Sequence, residues 1–229
     1  MTLEEFQNNN THFKNKALLE QAFIHRSYIN ENPRSGLEHN ERLEFLGDAV
    51  LELIVTEFLY IKYPNHNEGD LTAYRSALVN AVTLGEVADD LSFNDMLKLS
   101  KGEAKDVSRA RSSILADAYE AFVGALYLDQ GYETVKDFVS KTLLIKTEDI
   151  IRKGLYKDAK SFIQEKSQEL YGITPSYRVL NEEGPDHDKI FRIGVYFNDE
   201  LISEGEGKSK QEAETSSARN ALDKKGWIK

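Results

Sequence analysis

The chain has 229 residues, 40% hydrophobic and 30% charged, a composition typical of a soluble globular protein with one large core or two smaller ones. It contains no cysteine, which excludes disulfides and thiolate chemistry. The formal net charge of -10 argues against a generic basic nucleic-acid binder. Most of the excess acidity lies in the first two thirds of the chain. Bound metal cations would offset part of this acidity, but surface carboxylates more often serve solubility.

The N-terminus, MTLEEFQNNN, has no basic start and no long apolar run, so it does not resemble a secretory signal. The longest apolar-rich stretch, residues 49–61, contains two glutamates and is too short to span a bilayer. We therefore expect a cytoplasmic protein that does not associate with a membrane.

Residues 14–151 show a helical pattern throughout, because apolar residues recur at spacings of three and four. The apolar runs cover residues 18–24, 43–61, 71–91, 114–128 and 132–145. No strand-like alternation interrupts them. The sequence predicts an all-α domain over residues 1–152, followed by a linker at 153–157.

The character changes after the linker, and residues 158–229 form a second predicted domain. A short helix at 158–171 precedes strand candidates at 176–181, 189–197 and 200–204, and a last helix covers 209–225. Asn198 and Asp199 are typical of a tight hairpin, and Ser209 with Glu212 forms a capping box. The order α-β-β-β-α predicts a small α+β domain.

The segment HNERLEFLGDAVLELI, residues 39–54, places carboxylates at the head of an apolar helix. Glu44 and Asp48 are four residues apart and share one face, with Glu41 one turn earlier. The apolar neighbours suggest a largely buried helix, and burying unpaired carboxylates costs free energy. A cation between the side chains would remove this cost.

A second apolar helix, SSILADAYEAFVGALYLD at residues 112–129, carries Asp117 and Glu120 on one face. If the two faces meet, four carboxylates converge. Oxygen ligands suit Mg²⁺ or Mn²⁺, and such a site activates water and stabilises charge on a phosphoryl group. A lone acidic pair is usually a solvated surface feature; two pairs on apolar helices strengthen the case for a carboxylate metal site but leave the solvated alternative open.

Several segments resemble the ribonuclease III family, in its bacterial form with one nuclease domain and one C-terminal RNA-binding domain. HNERLEFLGDAVL at 39–51 is similar to the family signature, and EGDLTAYR at 68–75 and SSILADAYEA at 112–121 match two further motifs. EGPDHDK at 183–189 and GEGKSKQEAE at 205–214 resemble a double-stranded RNA-binding domain. The resemblance covers nearly the whole chain, with the motifs in the family's order.

The resemblance implies an endoribonuclease that uses Mg²⁺, or Mn²⁺ in its place, to cut double-stranded RNA and leave 5′-phosphate and 3′-hydroxyl ends. It also implies a role in processing precursor ribosomal RNA and other structured transcripts, including messenger and transfer RNA. The metal ligands implied are Glu44, Asp48, Asp117 and Glu120, with Asp48 and Glu120 as catalytic residues. Glu41 and Glu68 match acidic positions expected to support the site.

The resemblance further implies a homodimer whose two active centres cut opposite strands. Phe45 matches an aromatic residue that packs across the two-fold axis. The residues themselves leave open whether Phe45 packs in this interface or in the core of one subunit.

A small domain recognises A-form RNA by shape, through two minor grooves and the phosphates between them. The predicted contacts lie on the first helix of the second domain, in the first strand–strand loop and at the start of the last helix: Ser161, Gln164, Glu165, Gln168, His187, Lys208 and Lys210. Gln211 departs from a family lysine, which should weaken the attraction to phosphate. The basic stretch at 101–111 either guides the RNA or is a solvated loop.

A rival hypothesis is a non-catalytic double-stranded RNA-binding protein on a degenerate nuclease fold. A degenerate relative is expected to have lost at least one of the four carboxylates, and all four are present. A purely structural RNA-assembly protein would not explain carboxylates at the heads of two apolar helices. The sequence therefore favours the enzyme.

Overall fold

A computed structural model describes residues 1–9, 11–105, 109–152, 156, 158–185 and 189–227. The chain divides into two compact units, Met1–Ile150 and Ile151–Lys229, hereafter the first and second units. The residues of the predicted linker fall outside the described part, apart from 156. Along the described part of the chain, no helix combines the length and the apolarity needed to cross a membrane.

The first unit is helical, as predicted. Its helices are Leu3–Asn9 (α1), Lys16–Ala22 (α2), Arg26–Glu31 (α3), Glu41–Lys62 (α4), Glu68–Leu78 (α5), Ala81–Asp90 (α6), Phe93–Met96 (α7), Arg109–Gln130 (α8), Tyr132–Thr142 (α9) and Thr147–Arg152 (α10), which reaches the unit boundary. Short 3₁₀ turns occur at Glu103–Lys105 and Leu144–Lys146. An isolated parallel bridge joins Ile24 and Lys98.

Two features of this unit differ from the sequence pattern. The first helix, α1, precedes the predicted helical region, and it belongs to the fold because Phe6 is completely buried. The apolar run at 71–91 is two helices instead of one. Asn80 caps α6 by accepting hydrogen bonds from the backbone N–H groups of Val82 and Thr83, both at 3.0 Å. The run continues across the break, so periodicity alone does not reveal it.

The long helices α4 and α8 pack against each other in the centre of the first unit. Aromatic rings pack around α8, with Phe6, Phe13 and Phe93 each 5.4–5.5 Å from a neighbouring ring in this cluster. Tyr119 and Phe122 of α8 are completely buried. The central helix pair is therefore held by packing on several sides.

The second unit has the predicted order of elements. Helix α11 (Ala159–Tyr171) is followed by β1 (Ser176–Glu183), β2 (Ile190–Phe197), β3 (Glu200–Gly207) and α12 (Lys210–Lys224). The strands form an antiparallel sheet in the order β1-β2-β3. Its core is a cluster from both helices and the sheet, including Phe162, Ile163, Val195, Ile202 and Leu222.

The local signals in the second unit act as predicted. The turn between β2 and β3 contains Asn198 in the left-handed conformation at φ 57°. The Ser209 hydroxyl accepts a hydrogen bond from the Glu212 backbone N–H at 3.1 Å. In return, the Glu212 carboxylate accepts one from the backbone N–H of Lys208 at 3.0 Å, one residue before the cap. This reciprocal pair fixes the start of α12.

Candidate active site

Three carboxylates converge where α4 and α8 pack together. Glu44 lies in the first turn of α4, and Asp117 and Glu120 lie about one turn apart on α8. Each side chain offers a carboxylate oxygen, and these oxygens lie within 4.8 Å of one another. All three residues are half-buried. These oxygens are the donors that a hard divalent cation prefers, so the arrangement can hold such an ion.

Two glycines explain why the helices approach so closely. A Cβ atom on Gly47 would lie only 1.8 Å from the backbone oxygen of Glu120. A Cβ atom on Gly124 would lie 2.1 Å from the backbone oxygen of Leu43. Real side chains do not tolerate such distances, so the two backbones meet with nothing between them. This contact brings Glu44 next to the carboxylates of α8.

The environment of the cluster opposes ionisation of its members. Burial, followed by the charges of Asp48 and Asp117, raises the pKa of Glu120 to about 8. Burial, followed by the charge of Asp117, raises the pKa of Glu44 to about 7. Burial also raises the pKa of Asp117. Burial and mutual repulsion therefore make the ionised cluster costly in the folded chain, and a cation among the oxygens would offset this cost.

Asp48 lies at the edge of this cluster. Its side chain is exposed, and it is not part of the group within 4.8 Å. Its charge nevertheless raises the pKa of both Glu44 and Glu120. The structure thus brings together three of the four predicted ligands and leaves Asp48 nearby.

The two supporting glutamates lie in different surroundings. Glu41 is beside the cluster, and its oxygens face Arg26 at 3.3 Å and His39 at 3.8 Å.

Glu68 begins α5, accepts a hydrogen bond from Thr72 at 3.3 Å, and lines a separate open cavity. That cavity contacts the second half of α4, at Thr56 and beyond. Twelve residues separate Thr56 from Glu44, about 18 Å along a helix. Within one chain, Glu68 is therefore remote from the cluster.

Phe45 does not pack in the core of the first unit. Its side chain is 82% exposed, although Leu43 and Gly47, two residues to either side, are buried. The interpretation as core packing within one subunit is therefore wrong. Leu43 and the glycine contact hold Glu44, and Phe45 points to solvent.

Sequence reasoning did not identify His25 and Arg26, which lie near the carboxylates. The charges of both side chains oppose the rise in the pKa of Asp117. Arg26 also opposes the shift of Glu44. A histidine and an arginine at the start of a short helix form no distinctive pattern, and periodicity does not predict the bends that bring them to the site.

The predicted RNA contacts on α11 share one exposed surface. Ser161, Gln164, Glu165 and Gln168 are all exposed, whereas Phe162 and Ile163 between them are buried. Asp158 caps the start of this helix, and its carboxylate accepts hydrogen bonds from the backbone N–H and the hydroxyl of Ser161, at 2.9 and 2.8 Å.

The cations at the start of α12 are also exposed. Lys210 forms an ion pair with Glu182 of β1 at 3.2 Å, and its amino group lies 5.6 Å from the centre of the Phe191 ring. Gln211 is exposed beside it. His187 lies outside the described residues. In the basic stretch, residues 106–108 are also outside the described part, and Arg111 donates a hydrogen bond to Asn94 at 2.7 Å.

Comparison with known proteins assigns a family to each part of the chain. The family profile described as Ribonuclease-III-like matches residues 15–147. The profile described as Double-stranded RNA binding motif matches residues 159–225.

Curated relatives match over most of their length. Ribonuclease 3 of Bacillus velezensis is 45% identical over 225 residues, covering 96% of this chain and 89% of the relative. Ribonuclease 3 of Streptococcus pneumoniae is 44% identical over 212 residues, covering 93% of this chain and 91% of the relative.

Among solved structures, the nuclease domain of ribonuclease III from Campylobacter jejuni matches with a TM-score of 0.56 and 39% identity, covering 63% of this chain and 96% of that one. That structure is described as having a flexible region involved in dimer formation.

Proposed function

The chain belongs to the ribonuclease III family and is an endoribonuclease with a double-stranded RNA-binding motif, and from this premise we propose how it acts. We propose that it hydrolyses phosphodiesters of double-stranded RNA with Mg²⁺, leaving staggered ends with 5′-phosphate and 3′-hydroxyl groups. Its substrates are precursor ribosomal RNA and other structured transcripts of the cytoplasm. The observation that carries this proposal is the convergence of Glu44, Asp117 and Glu120.

The donor set fits a hard divalent cation. Three carboxylate oxygens lie close together, and the raised pKa values of Glu44 and Glu120 support the proposal because a bound cation would favour their ionised forms. Glu44, Asp117 and Glu120 would hold Mg²⁺, and Mn²⁺ can substitute because it accepts the same oxygen ligands. When bound, the ion supplies an activated water and neutralises charge on the phosphoryl group.

The acidic side chains have different roles in the proposed reaction. Glu120 and Asp117 of α8 would bind the ion from one side and Glu44 of α4 from the other. Asp48 is exposed at the rim, where its carboxylate can accept a hydrogen bond from the attacking water. Glu41 stays outside the ligand group because its oxygens face Arg26 and His39.

The second unit supplies the preference for double strands. The exposed polar surface of α11 suits hydroxyl groups in a minor groove, and Lys208 and Lys210 at the start of α12 suit phosphates. Recognition of this kind depends on the A-form shape rather than on base sequence. We therefore infer that the second unit selects the duplex and the first unit cuts it.

We infer a homodimer from an apolar stripe along α4. Phe45, Leu53 and Tyr60 are 82%, 57% and 73% exposed and share one side of the helix. A cavity of about 470 Å³, partly lined by Leu59 and Leu71, lies at the Tyr60 end of the stripe. A two-fold axis near Leu53 would bring Phe45 to this cavity on a second copy, since an isologous contact is self-complementary. Two centres related by such an axis would cut opposite strands.

The variant Glu120→Gln tests the proposed site. It keeps the size of the side chain but weakens a metal ligand, so we expect cleavage to fall by several orders of magnitude while RNA binding in Ca²⁺ is unchanged. The assay compares long double-stranded RNA with single-stranded RNA and DNA, in Mg²⁺ and in EDTA. Wild-type cleavage by the variant, or cleavage in EDTA, would contradict the metal assignment.

A further inference from the structure

Helices α3 and α4 begin side by side because a buried asparagine joins them. Asn40 is only 2% exposed and precedes α4. Its backbone N–H donates to the oxygen of Ile24 at 2.9 Å, and its side chain donates to the oxygen of Ala22 at 3.1 Å. These bonds fix the segment before α3 against the start of α4. The first residues of the two helices, Arg26 and Glu41, are therefore held close together.

The β-bridge between Ile24 and Lys98 also holds the segment before α3 in place. The backbone N–H of His25 donates to the oxygen of Lys98 at 3.1 Å, and that of Lys98 donates to the oxygen of Phe23 at 2.8 Å. The ring of His25 also caps α3, where its Nδ1 accepts from the backbone N–H of Ser27 at 3.3 Å. The backbone that carries Arg26 is thus held by bonds to two other segments.

Arg26 projects from this junction as an exposed cation at the edge of the carboxylate cluster. One of its terminal nitrogens lies 3.3 Å from Glu41, and its side chain is 67% exposed. The guanidinium group has five N–H donors in a fixed plane, so a single contact with Glu41 leaves donors that can bind an anion. Its charge lowers the pKa of both Glu44 and Asp117, which places it within electrostatic reach of each helix of the site.

The substrate is a polyanion, and the cluster that must receive it is acidic. A cation beside the cluster would attract the RNA backbone without occupying the metal position. Arginine suits this task because its planar fork can donate two hydrogen bonds to one phosphate.

We propose that Arg26 binds a backbone phosphate of the RNA strand being cut, and that Glu41 is a positioning residue that orients the guanidinium group of Arg26. This inference rests on the proposed function of the carboxylate cluster. It gives Glu41 a task other than metal binding. The contact of both Glu41 oxygens with side chains outside the cluster supports this assignment. An ion pair this exposed adds little to folding stability, so its position beside the site calls for another explanation.

The test measures single-turnover cleavage and RNA binding of the full chain at a series of KCl and Mg²⁺ concentrations. The variants are Arg26→Ala, Arg26→Lys, Glu41→Ala and the double variant with alanine at both positions. Lys141→Ala is the matched control, because it also removes one exposed cation from an ion pair with a carboxylate, at 2.6 Å on α9. Thermal unfolding of each variant identifies any loss of folding.

We expect Arg26→Ala to weaken RNA binding by about tenfold to a hundredfold, the effect of losing charge-assisted hydrogen bonds. The slope of log affinity against log salt should fall by about one unit for each Arg26 of the dimer that contacts the RNA, and Arg26→Lys should recover the slope but only part of the affinity. Lys141→Ala should match the wild type. Glu41→Ala should weaken binding in the same direction, and the double variant should lose no more than Arg26→Ala does.

Wild-type affinity and salt slope in Arg26→Ala would overturn the inference. Additive losses in the double variant, or a higher Mg²⁺ requirement in Glu41→Ala than in Arg26→Ala, would overturn the role given to Glu41. Glu120→Gln measured in parallel separates this inference from its premise. If that variant is inactive while Arg26→Ala behaves as wild type, only the inference fails.

Discussion

The two units place their functional charges in opposite ways. The first unit gathers Glu44, Asp117 and Glu120 in a half-buried cluster where burial and mutual repulsion oppose ionisation. The second unit exposes those of its predicted RNA contacts that the structure describes: the Ser161 hydroxyl donates to the Asp158 carboxylate, and Lys210 is paired with Glu182. The carboxylate cluster therefore carries an electrostatic cost in the folded state, whereas the exposed polar surface of the second unit carries little.

The largest expected effect comes from Gly47→Ala, which disrupts the contact between α4 and α8 that brings the three carboxylates together. The new Cβ atom would meet backbone atoms, so α4 and α8 must separate, at a cost of about 3 kcal/mol, the upper end of the range for overpacking. Circular dichroism should show a much lower melting temperature and cleavage should be lost.

If the units are independent, this variant should still bind double-stranded RNA through the second unit. Ala49→Gly, at an exposed position of the same helix, shows for comparison the cost of about 1 kcal/mol that a change in helix propensity alone produces. A melting temperature for Gly47→Ala equal to that of Ala49→Gly would show that the two helices need not touch.

The pH dependence of stability should differ between the units. The folded pKa values of Glu44 and Glu120, about 7 and 8, lie above the ordinary carboxyl value near 4.5. The folded state therefore retains protons that the unfolded chain releases, and the metal-free first unit should lose stability as pH rises from about 4.5 to about 8. Mg²⁺ should restore this loss most strongly at the upper end, because its binding displaces the protons.

Thermal melts from pH 5 to pH 8.5, with Mg²⁺ and with EDTA, measure this effect. Glu120→Gln should flatten the profile in EDTA because one of the two strongly shifted carboxyl groups is gone. A wild-type profile in EDTA that rises steadily through this range would contradict the shifts.

The smallest expected effect is a gain in the second unit. Gln211→Lys adds a cation at the exposed start of α12 without removing any side-chain contact of the sheet or core. RNA affinity should increase and the salt dependence should steepen by about one unit of slope, with no change in the cleavage rate at saturating RNA. Binding titrations at several salt concentrations measure the slope, and Thr215→Lys, one turn further along α12, is a control for added charge. Equal gains from both changes would mean that position 211 is not special.

Much of the fold follows from local patterns in the sequence. The α-β-β-β-α order of the second unit is confirmed because hairpin, cap and strand alternation are short-range signals. The helix α1 is missed because its single buried aromatic, Phe6, gives no repeating pattern. The boundary at Asn80 is missed because the cap interrupts an apolar run that continues beyond it.

The site was harder to predict than the fold. Spacing indicated which residues share a helix face, and it correctly paired Asp117 with Glu120. It could not show that Asp48 lies at the rim, because that depends on where α4 meets α8. The residues left open whether Phe45 packs in a core or in an interface, since composition does not reveal which apolar side chain faces outwards. Arg26 approaches the cluster through the contacts of Asn40, which no local pattern encodes.

The glycine contact between α4 and α8 sets the distance between the two helices that carry the carboxylates. Because backbone touches backbone at Gly47 and Gly124, no flexible side chain lies between the helices at these positions that could rearrange and let them separate. Mg²⁺ requires oxygen distances of about 2.0–2.1 Å and Ca²⁺ about 2.3–2.6 Å with more ligands. A cation held by carboxylates of both helices would therefore meet a helix spacing that is set by two residues without side chains, Gly47 and Gly124.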